Sequence, residues 1–396
     1  MQYSFPYILF IVFLEVLALV FDNDERLTAT AEGRTLTAER RPFTSRQLKC
    51  ALIAVVGFLV FFGFRGFILS DWIFYYSFFY DCSFDEIFSY TPTEQGKYEP
   101  GFTLLTLLCR SIFRDYQFFV FVCCAIDTAL LLRFFRRRVN NLPLCLLIYV
   151  VFEGLTMSTN LMRNSIAVFI FLNALQYIEE RRPLPYFALV LLACTFHITS
   201  VFYLPLYFFL HRKLNRWVYL AIFLACNAIF LLHISLVSSV LSVVGFEDFS
   251  TRIRAYTEFY DEATGLSVGY LERLMTGMLV FLYMDKLRAM RPGNNIYINA
   301  LLIYLIMFFA LSEFQVLSKR MCVLFAFGYW IIWIDLIRCF TYKGNRILFT
   351  AFVYLYCILR MAGSAYLPDF KYDNVLFGAD SYQERLYMHN KTFQGD

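Results

Sequence analysis

Long apolar runs separated by short polar segments dominate the chain. A helix needs ~20 mostly apolar residues to cross the ~30 Å hydrocarbon core of a bilayer. The long runs therefore predict membrane-spanning helices. They lie near residues 3–21, 50–69, 117–135, 142–159, 161–178, 217–234, 270–288, 296–312, 320–338 and 346–363.

Three shorter apolar runs require a different interpretation. Residues 184–196 and 199–210 flank His197 and predict a tight helical hairpin, with one long tilted helix as the alternative. The run 102–113 is too short to cross a bilayer and contains Arg110. It therefore predicts a re-entrant or interfacial helix.

The composition supports the same class of protein. Sixty per cent of the 396 residues are hydrophobic and 17% are charged, whereas soluble domains average about 45–50% and about 25%. We expect an all-α polytopic integral membrane protein, a single domain over 1–396 with about 12 transmembrane helices plus the re-entrant helix. Most of the 11 cysteines lie in apolar runs, which favours packing roles, and no metal-ligand spacing occurs.

The basic residues predict the orientation of the chain. Most of the 35 lysines and arginines fall on one side only if twelve crossings are used with both termini outside, and the positive-inside rule makes that side cytoplasmic. Because the positive charges sit between apolar runs, no nucleic-acid partner is expected. The resulting topology has a cytoplasmic loop at 22–48, outer loops at 70–116 and 235–269, and an outer tail at 364–396.

The first outer loop is rich in aromatic rings and carboxylates, among them Tyr75 and Tyr98 with Asp71 and Glu99. Aromatic rings with polar tips are also typical of a membrane interface. The functional interpretation is a platform for a hydroxyl-rich ligand such as a sugar. Arg65 precedes Asp71, and an ion pair between the two is the alternative to a role in binding.

Four basic residues lie near the predicted outer ends of helices: Arg163, Arg273, Lys319 and Arg320. A cation there opposes both the helix dipole and the orientation rule. Their placement indicates a bound anion such as a phosphate or pyrophosphate. Local ion pairs, for example with Glu272, are the alternative.

Arg163 and His197 are the strongest individual candidates. Arg163 has no acidic residue nearby in the sequence and is flanked by Asn160 and Asn164. His197 lies at the turn of the predicted hairpin, among hydroxyl side chains. It is either a hydrogen-bonded packing residue or a group that can exchange a proton near neutral pH.

The order of these motifs resembles the EpsG family of bacterial exopolysaccharide-synthesis membrane proteins, which are Wzy-like repeat-unit polymerases. Two positions depart from the pattern. Asn164 stands where the family usually has Gln, and Tyr366-Leu367-Pro368 stands where Pro-Tyr is expected. The resemblance covers roughly residues 55–368. It rests on Arg65-Gly66…Asp71…Tyr75, Tyr98-Glu99-Pro100-Gly101-Phe102, Asn160…Arg163-Asn164…Ala167, Tyr186…Phe196-His197…Ser200…Leu204-Pro205-Leu206-Tyr207 and Lys319-Arg320.

The resemblance implies a GT-C-like glycosyltransferase that polymerises polyprenyl-pyrophosphate-linked oligosaccharide repeat units on the outer face of the bacterial cytoplasmic membrane. The product would be an exopolysaccharide, capsule or O-antigen. Donor, acceptor and membrane lipid would be its partners, with chain-length regulator and export proteins beside them, and no cofactor or metal is expected. The implied base is Glu99, then His197, then Asp71. The implied substrate-binding residues are Arg163, Asn160, Asn164, Arg320, Lys319, Arg273, Arg65, Tyr75 and Tyr98.

Two other functions remain open at this point. A flippase or transporter of a lipid-linked glycan would be expected to show matched, inverted halves. A membrane acyltransferase that modifies the glycan would use His197 as its base.

Overall fold

A computed structural model of the chain describes residues 2–31, 43–91, 96–235, 267–291 and 293–394. These residues form helices joined by turns. The first nine helices are α1 (Phe5–Ala31), α2 (Ser45–Phe58), α3 (Trp72–Asp81), α4 (Pro100–Ile112), α5 (Tyr116–Arg136), α6 (Leu142–Tyr149), α7 (Leu155–Thr159), α8 (Met162–Glu179) and α9 (Pro183–Cys194). The remainder are α10 (Leu206–Phe209), α11 (Arg216–Leu231), α12 (Val268–Met290), α13 (Asn294–Ala310), α14 (Gln315–Phe325), α15 (Phe327–Cys339), α16 (Lys343–Ser364) and α17 (Tyr382–Gln394).

The chain divides into two compact units. The first comprises Met1–Tyr207 and Leu348–Asp396, and the second comprises Phe208–Ile347. None of the eleven cysteines, all of which lie in the described residues, forms a disulfide, and ten of them are buried, as expected for packing residues.

Several helices are long and apolar enough to cross a membrane, which confirms an all-helical membrane protein. Five pass this test singly, and the pair α14 and α15, bent by 58°, makes a sixth span if counted as one. The five are Phe5–Asn23, Ser45–Gly63, Tyr116–Arg136, Leu142–Thr159 and Lys343–Ser364. The prediction of about 12 crossings also includes apolar helices that are shorter than this test requires.

Two predicted boundaries differ from the ends of the helices. The candidate span in α1 ends at Asn23, close to the predicted residue 21, but the helix itself continues to Ala31, because helix hydrogen bonds are internal and do not stop where apolar residues do. The predicted span at 320–338 begins earlier, at Gln315, and bends near Ala326. Residues 32–42 of the first loop and 236–266 of the loop at 235–269 lie outside the described residues.

The segment around His197 folds back on itself, as the hairpin interpretation requires. Helix α9 ends at Cys194, and a 3-10 helix, Ile198–Tyr203, follows. The Tyr186 hydroxyl donates a hydrogen bond to the Tyr203 carbonyl over 2.5 Å. One continuous helix would separate these residues by ~25 Å at ~1.5 Å per residue.

Helix α8 is the centre of the first unit and is buried along most of its length. A helix that is apolar on every face is packed on every side, and α8 packs against α5 and α9. This packing fixes the N-terminus of α8, where Arg163 is the second residue.

The predicted outer tail is folded against this unit. Asn374 donates to the Val60 carbonyl over 2.9 Å and Tyr372 to the Phe61 carbonyl over 3.0 Å. In α17, the Tyr382 ring stacks on Tyr76 with 3.9 Å between ring centroids.

The topology is testable with single cysteines in a Cys194→Ser background, since the other cysteines are buried. We expect Ser89→Cys, at an exposed position before α4, to react with a membrane-impermeant maleimide in intact cells. Asn345→Cys, exposed at the start of α16, should react only after lysis. The opposite pattern would invert the orientation deduced from the positive-inside rule.

Candidate active site

An ion pair joins the two residues expected to act as base and anion clamp. Glu99 precedes Pro100, and its backbone is extended (φ −61°, ψ 146°). It occupies the N-cap position of α4, and its side chain is buried. Glu99 Oε2 lies 2.6 Å from Nη1 of Arg163, and Glu99 is 2% exposed. Arg163 therefore has an anionic partner, 64 residues away in the chain, which its sequence neighbourhood could not reveal.

Two tyrosines hold the Arg163 guanidinium. Its Cζ lies 4.3 Å from the centroid of the Tyr98 ring and 5.9 Å from that of Tyr75. Its Nε also donates to the Tyr75 hydroxyl over 3.5 Å. Since 21% of the Arg163 side chain stays exposed, the guanidinium is fixed in direction but open to a ligand.

The tip of the hairpin closes over Glu99 from the other side. The backbone N–H of Ile198 donates to Glu99 Oε1 over 3.0 Å, and Nδ1 of His197 lies 4.0 Å from the same oxygen. The backbone N–H of Thr199 donates to His197 Nδ1 over 3.2 Å. Because Nδ1 accepts this bond, the proton of the neutral imidazole lies on Nε2.

Gly101 allows the hairpin tip to approach α4. Its N–H donates to the Thr195 carbonyl over 2.8 Å. A Cβ atom on Gly101 would lie 2.4 Å from Thr195 Oγ1 and 2.9 Å from the Thr195 carbonyl oxygen. Only glycine fits this contact, which places His197 and Ile198 beside Glu99.

Asn160 and Arg65 position the backbone around Asp71. Asn160 Oδ1 accepts from the N–H of Asp71 over 2.8 Å and from that of Ser70 over 3.3 Å. The buried Arg65 donates through Nη2 to the Thr159 carbonyl over 2.9 Å. Asp71 is half-buried and its charge acts on Tyr75 and Tyr98.

The beginnings of four helices meet at this cluster. Asp71, Glu99, Leu161 and His197 are the N-caps of α3, α4, α8 and the 3-10 helix that follows α9. Helix N-termini carry partial positive charge and unpaired N–H groups, both of which favour an anion.

Tyr90 is a member of the cluster that the sequence did not single out. Burial first, then the charge of Glu99, raises the pKa of the Tyr90 phenol. It was one ring among many in the aromatic loop, and no spacing rule distinguished it. Asn164, by contrast, is buried in the core, and its Oδ1 accepts no hydrogen bond within the described part of the chain.

The remaining predicted cations belong to the second unit. Arg273 is the sixth residue of α12; it lies 3.8 Å from Glu272 and donates to the Tyr304 hydroxyl over 3.1 Å. Lys319 and Arg320 are exposed and lie in the middle of α14. The argument from a helix N-terminus is therefore wrong for these three, because their helices start before the apolar runs do.

We expect Gly101→Ala to lower the free energy of unfolding by about 1–3 kcal/mol, the usual cost of overpacking. Thermal unfolding of the purified protein measures this. Gly363→Ala in α16 is the matched control, because a Cβ there meets nothing within 4 Å. Equal melting temperatures for the two variants would show that the hairpin tip does not need the close contact.

Comparison with known proteins identifies a family. The EpsG family model matches residues 48–374, which include every residue of the cluster. No curated protein and no solved structure gives a significant match. Because the match spans most of the chain, this protein belongs to the EpsG family.

Proposed function

We propose that the chain is a glycosyltransferase that polymerises polyprenyl-pyrophosphate-linked oligosaccharide repeat units on the outer face of the cytoplasmic membrane. EpsG membership supports a role in exopolysaccharide polymerisation. The observation that carries the proposal is the Glu99–Arg163 pair, in which Arg163 stays 21% exposed, at a place where several helix N-termini meet. The proposal includes about 12 crossings with the cluster facing outward.

The pyrophosphate of the donor binds Arg163. A guanidinium has five N–H donors, which can bind several phosphate oxygens. Because a diphosphate carries more negative charge than a carboxylate, the ligand displaces Glu99 Oε2 from Nη1. The N-terminal amides of α4 and α8 add partial positive charge. Tyr75 and Tyr98 keep the guanidinium oriented while its partner changes.

Glu99 then accepts the proton of the acceptor hydroxyl. The acceptor oxygen forms a bond to the anomeric carbon of the donor, and the bond between that carbon and the pyrophosphate oxygen breaks. The leaving polyprenyl pyrophosphate takes the electron pair and stays on Arg163. The negative charge of the Glu99 carboxylate is thereby replaced by negative charge on the leaving pyrophosphate, and both charges are stabilised by protein groups rather than by solvent.

His197 suits donation better than proton abstraction. Its Nδ1 accepts from Thr199, so Nε2–H is a donor that can reach a phosphate oxygen. Asp71 is the second candidate base, because it is more exposed than Glu99. Arg273, Lys319 and Arg320 have no step in this scheme.

Arg163→Lys should bind the donor poorly although it keeps the charge, because lysine lacks the planar fork that engages two oxygens at once. Arg163→Ala should weaken binding of a polyprenyl pyrophosphate further. Donor affinity on folded protein in nanodiscs measures both. Arg114→Lys, at an exposed position, is the control; near-normal donor binding and polymerisation by Arg163→Ala would eliminate the clamp.

Glu99→Gln should lower turnover by ~10²–10⁴, the usual effect of a lost general base, with donor binding retained. The amide still accepts the Ile198 N–H, so the fold persists. Asp71→Asn should retain most activity, and His197→Gln, which can still donate, should retain a part. Active Glu99→Gln beside inactive Asp71→Asn would transfer the base to Asp71.

Cells that carry Glu99→Gln should accumulate single lipid-linked repeat units on the outer face, because export continues while polymerisation stops. Loss of outer-face units would instead indicate a flippase, and full-length polymer without acyl groups an acyltransferase.

A further inference from the structure

The first unit contains a cavity beside the cluster. This cavity of about 710 Å³ lies between the start of the chain, the turn at Leu69–Trp72, the segment Pro368–Tyr372 and helix α17. Cavities that bind small molecules usually measure about 300–1,000 Å³. Its size therefore fits a ligand of one or a few sugar rings.

The charged side chains that line the cavity are mainly basic. Lys371, Arg385, His389 and Lys391 contribute to its walls, against one carboxylate, Asp369, which pairs with His389 at 3.5 Å. Asp380, outside the cavity wall, accepts from both Lys371 (2.6 Å) and Arg385 (3.4 Å). Asp380 thus pairs with both cations, and their charges also act on Asp373. The exposed Lys391 adds a further positive charge.

Aromatic rings complete the lining. Tyr3 and Tyr372 are half-exposed, and the largely buried Trp72 also contributes to the wall. Ring faces pack against the apolar faces of sugars, whereas lysine and arginine bind carboxylate or phosphate oxygens. Rings beside cations match a sugar that carries an anionic group.

The cavity wall and the candidate base Asp71 share one turn. Leu69 has a positive φ of 64°, a conformation that bulky residues rarely adopt. Two hydrogen bonds hold it there: its N–H donates to the Asp369 carbonyl over 2.9 Å, and Trp72 Nε1 donates to its carbonyl over 2.7 Å. A ligand in the cavity therefore lies beside the cluster, across the turn that carries Asp71.

We propose that this cavity is a subsite for an acidic sugar of the acceptor chain, separate from the Arg163 site for the pyrophosphate. The assignment to the acceptor rests on the proposed polymerase function. Arg385, His389 and Lys391 lie beyond residue 374, where the family match ends. The subsite is thus built largely by a part of this chain that the family model does not cover.

The test uses the full chain in phosphatidylcholine nanodiscs, with methyl glucuronide as the probe and methyl glucoside as its neutral counterpart. We expect the glucuronide to bind more tightly. Lys391→Gln should weaken its binding about fivefold, as for an exposed charge pair, and Arg114→Gln, which removes an exposed charge outside the cavity, should not. Equal binding of the two sugars, or no effect of Lys391→Gln, would overturn the proposal.

Two further arms separate the possible sources of failure. Displacement of the glucuronide by inorganic phosphate or glycerol phosphate supports an anion site. Binding of glycerol phosphate without binding of the glucuronide would reassign the cavity to a lipid headgroup and refute the sugar subsite. Glu99→Gln should leave glucuronide binding unchanged. Polymerase activity that is normal in Lys391→Gln and lost in Glu99→Gln refutes only the subsite. Glucuronide binding by a chain without polymerase activity refutes the proposed function, and with it the assignment to an acceptor chain, while the site for an acidic sugar remains.

Discussion

The ion pair between Glu99 and Arg163 is the contact on which the rest of the site depends. Burying two charges is unfavourable unless each is paired and hydrogen-bonded, and loss of one partner of such a pair costs about 3–5 kcal/mol. Here the Ile198 N–H binds the second carboxylate oxygen and the Tyr98 ring covers the guanidinium. The pair thereby joins α4, α8 and the hairpin tip, three elements distant in sequence.

The geometry around this pair comes from helix ends rather than from helix faces. Pro100 starts α4 and sets the extended Glu99, Gly101 admits the hairpin tip, and Asn160 binds the backbone at Asp71. Non-helical backbone is unfavourable in contact with lipid and is tolerated where protein or a polar cavity surrounds it. Concentrating four helix N-termini in one place supplies hydrogen-bond donors for an anion.

The cluster and the cavity lie next to each other in the first unit and differ in chemistry. The cluster holds a single arginine between rings and a buried carboxylate. The cavity wall combines aromatic rings with lysine and arginine side chains. Under the proposed function, donor and acceptor would bind on the two sides of the Leu69 turn, where φ is positive.

The sequence by itself determined the membrane class, the hairpin at His197 and the short helix after Glu99, because apolar runs and Pro100 are local signals. It also supplied most of the residues that the candidate cluster brings together, because isolated polar residues are local signals too. It could not pair Arg163 with Glu99, because the two residues are far apart in the chain. It also placed Arg273 and Lys319 too near the starts of their helices, because an apolar run shows which residues can contact lipid and not where helical hydrogen bonding begins. The Gly101 contact and the folded tail depend on neighbours far away in the chain, and Tyr90 comes near both Glu99 and Arg163 only in the folded protein. Only tertiary packing brings those neighbours within a few ångströms, and that packing decides which polar groups form the site.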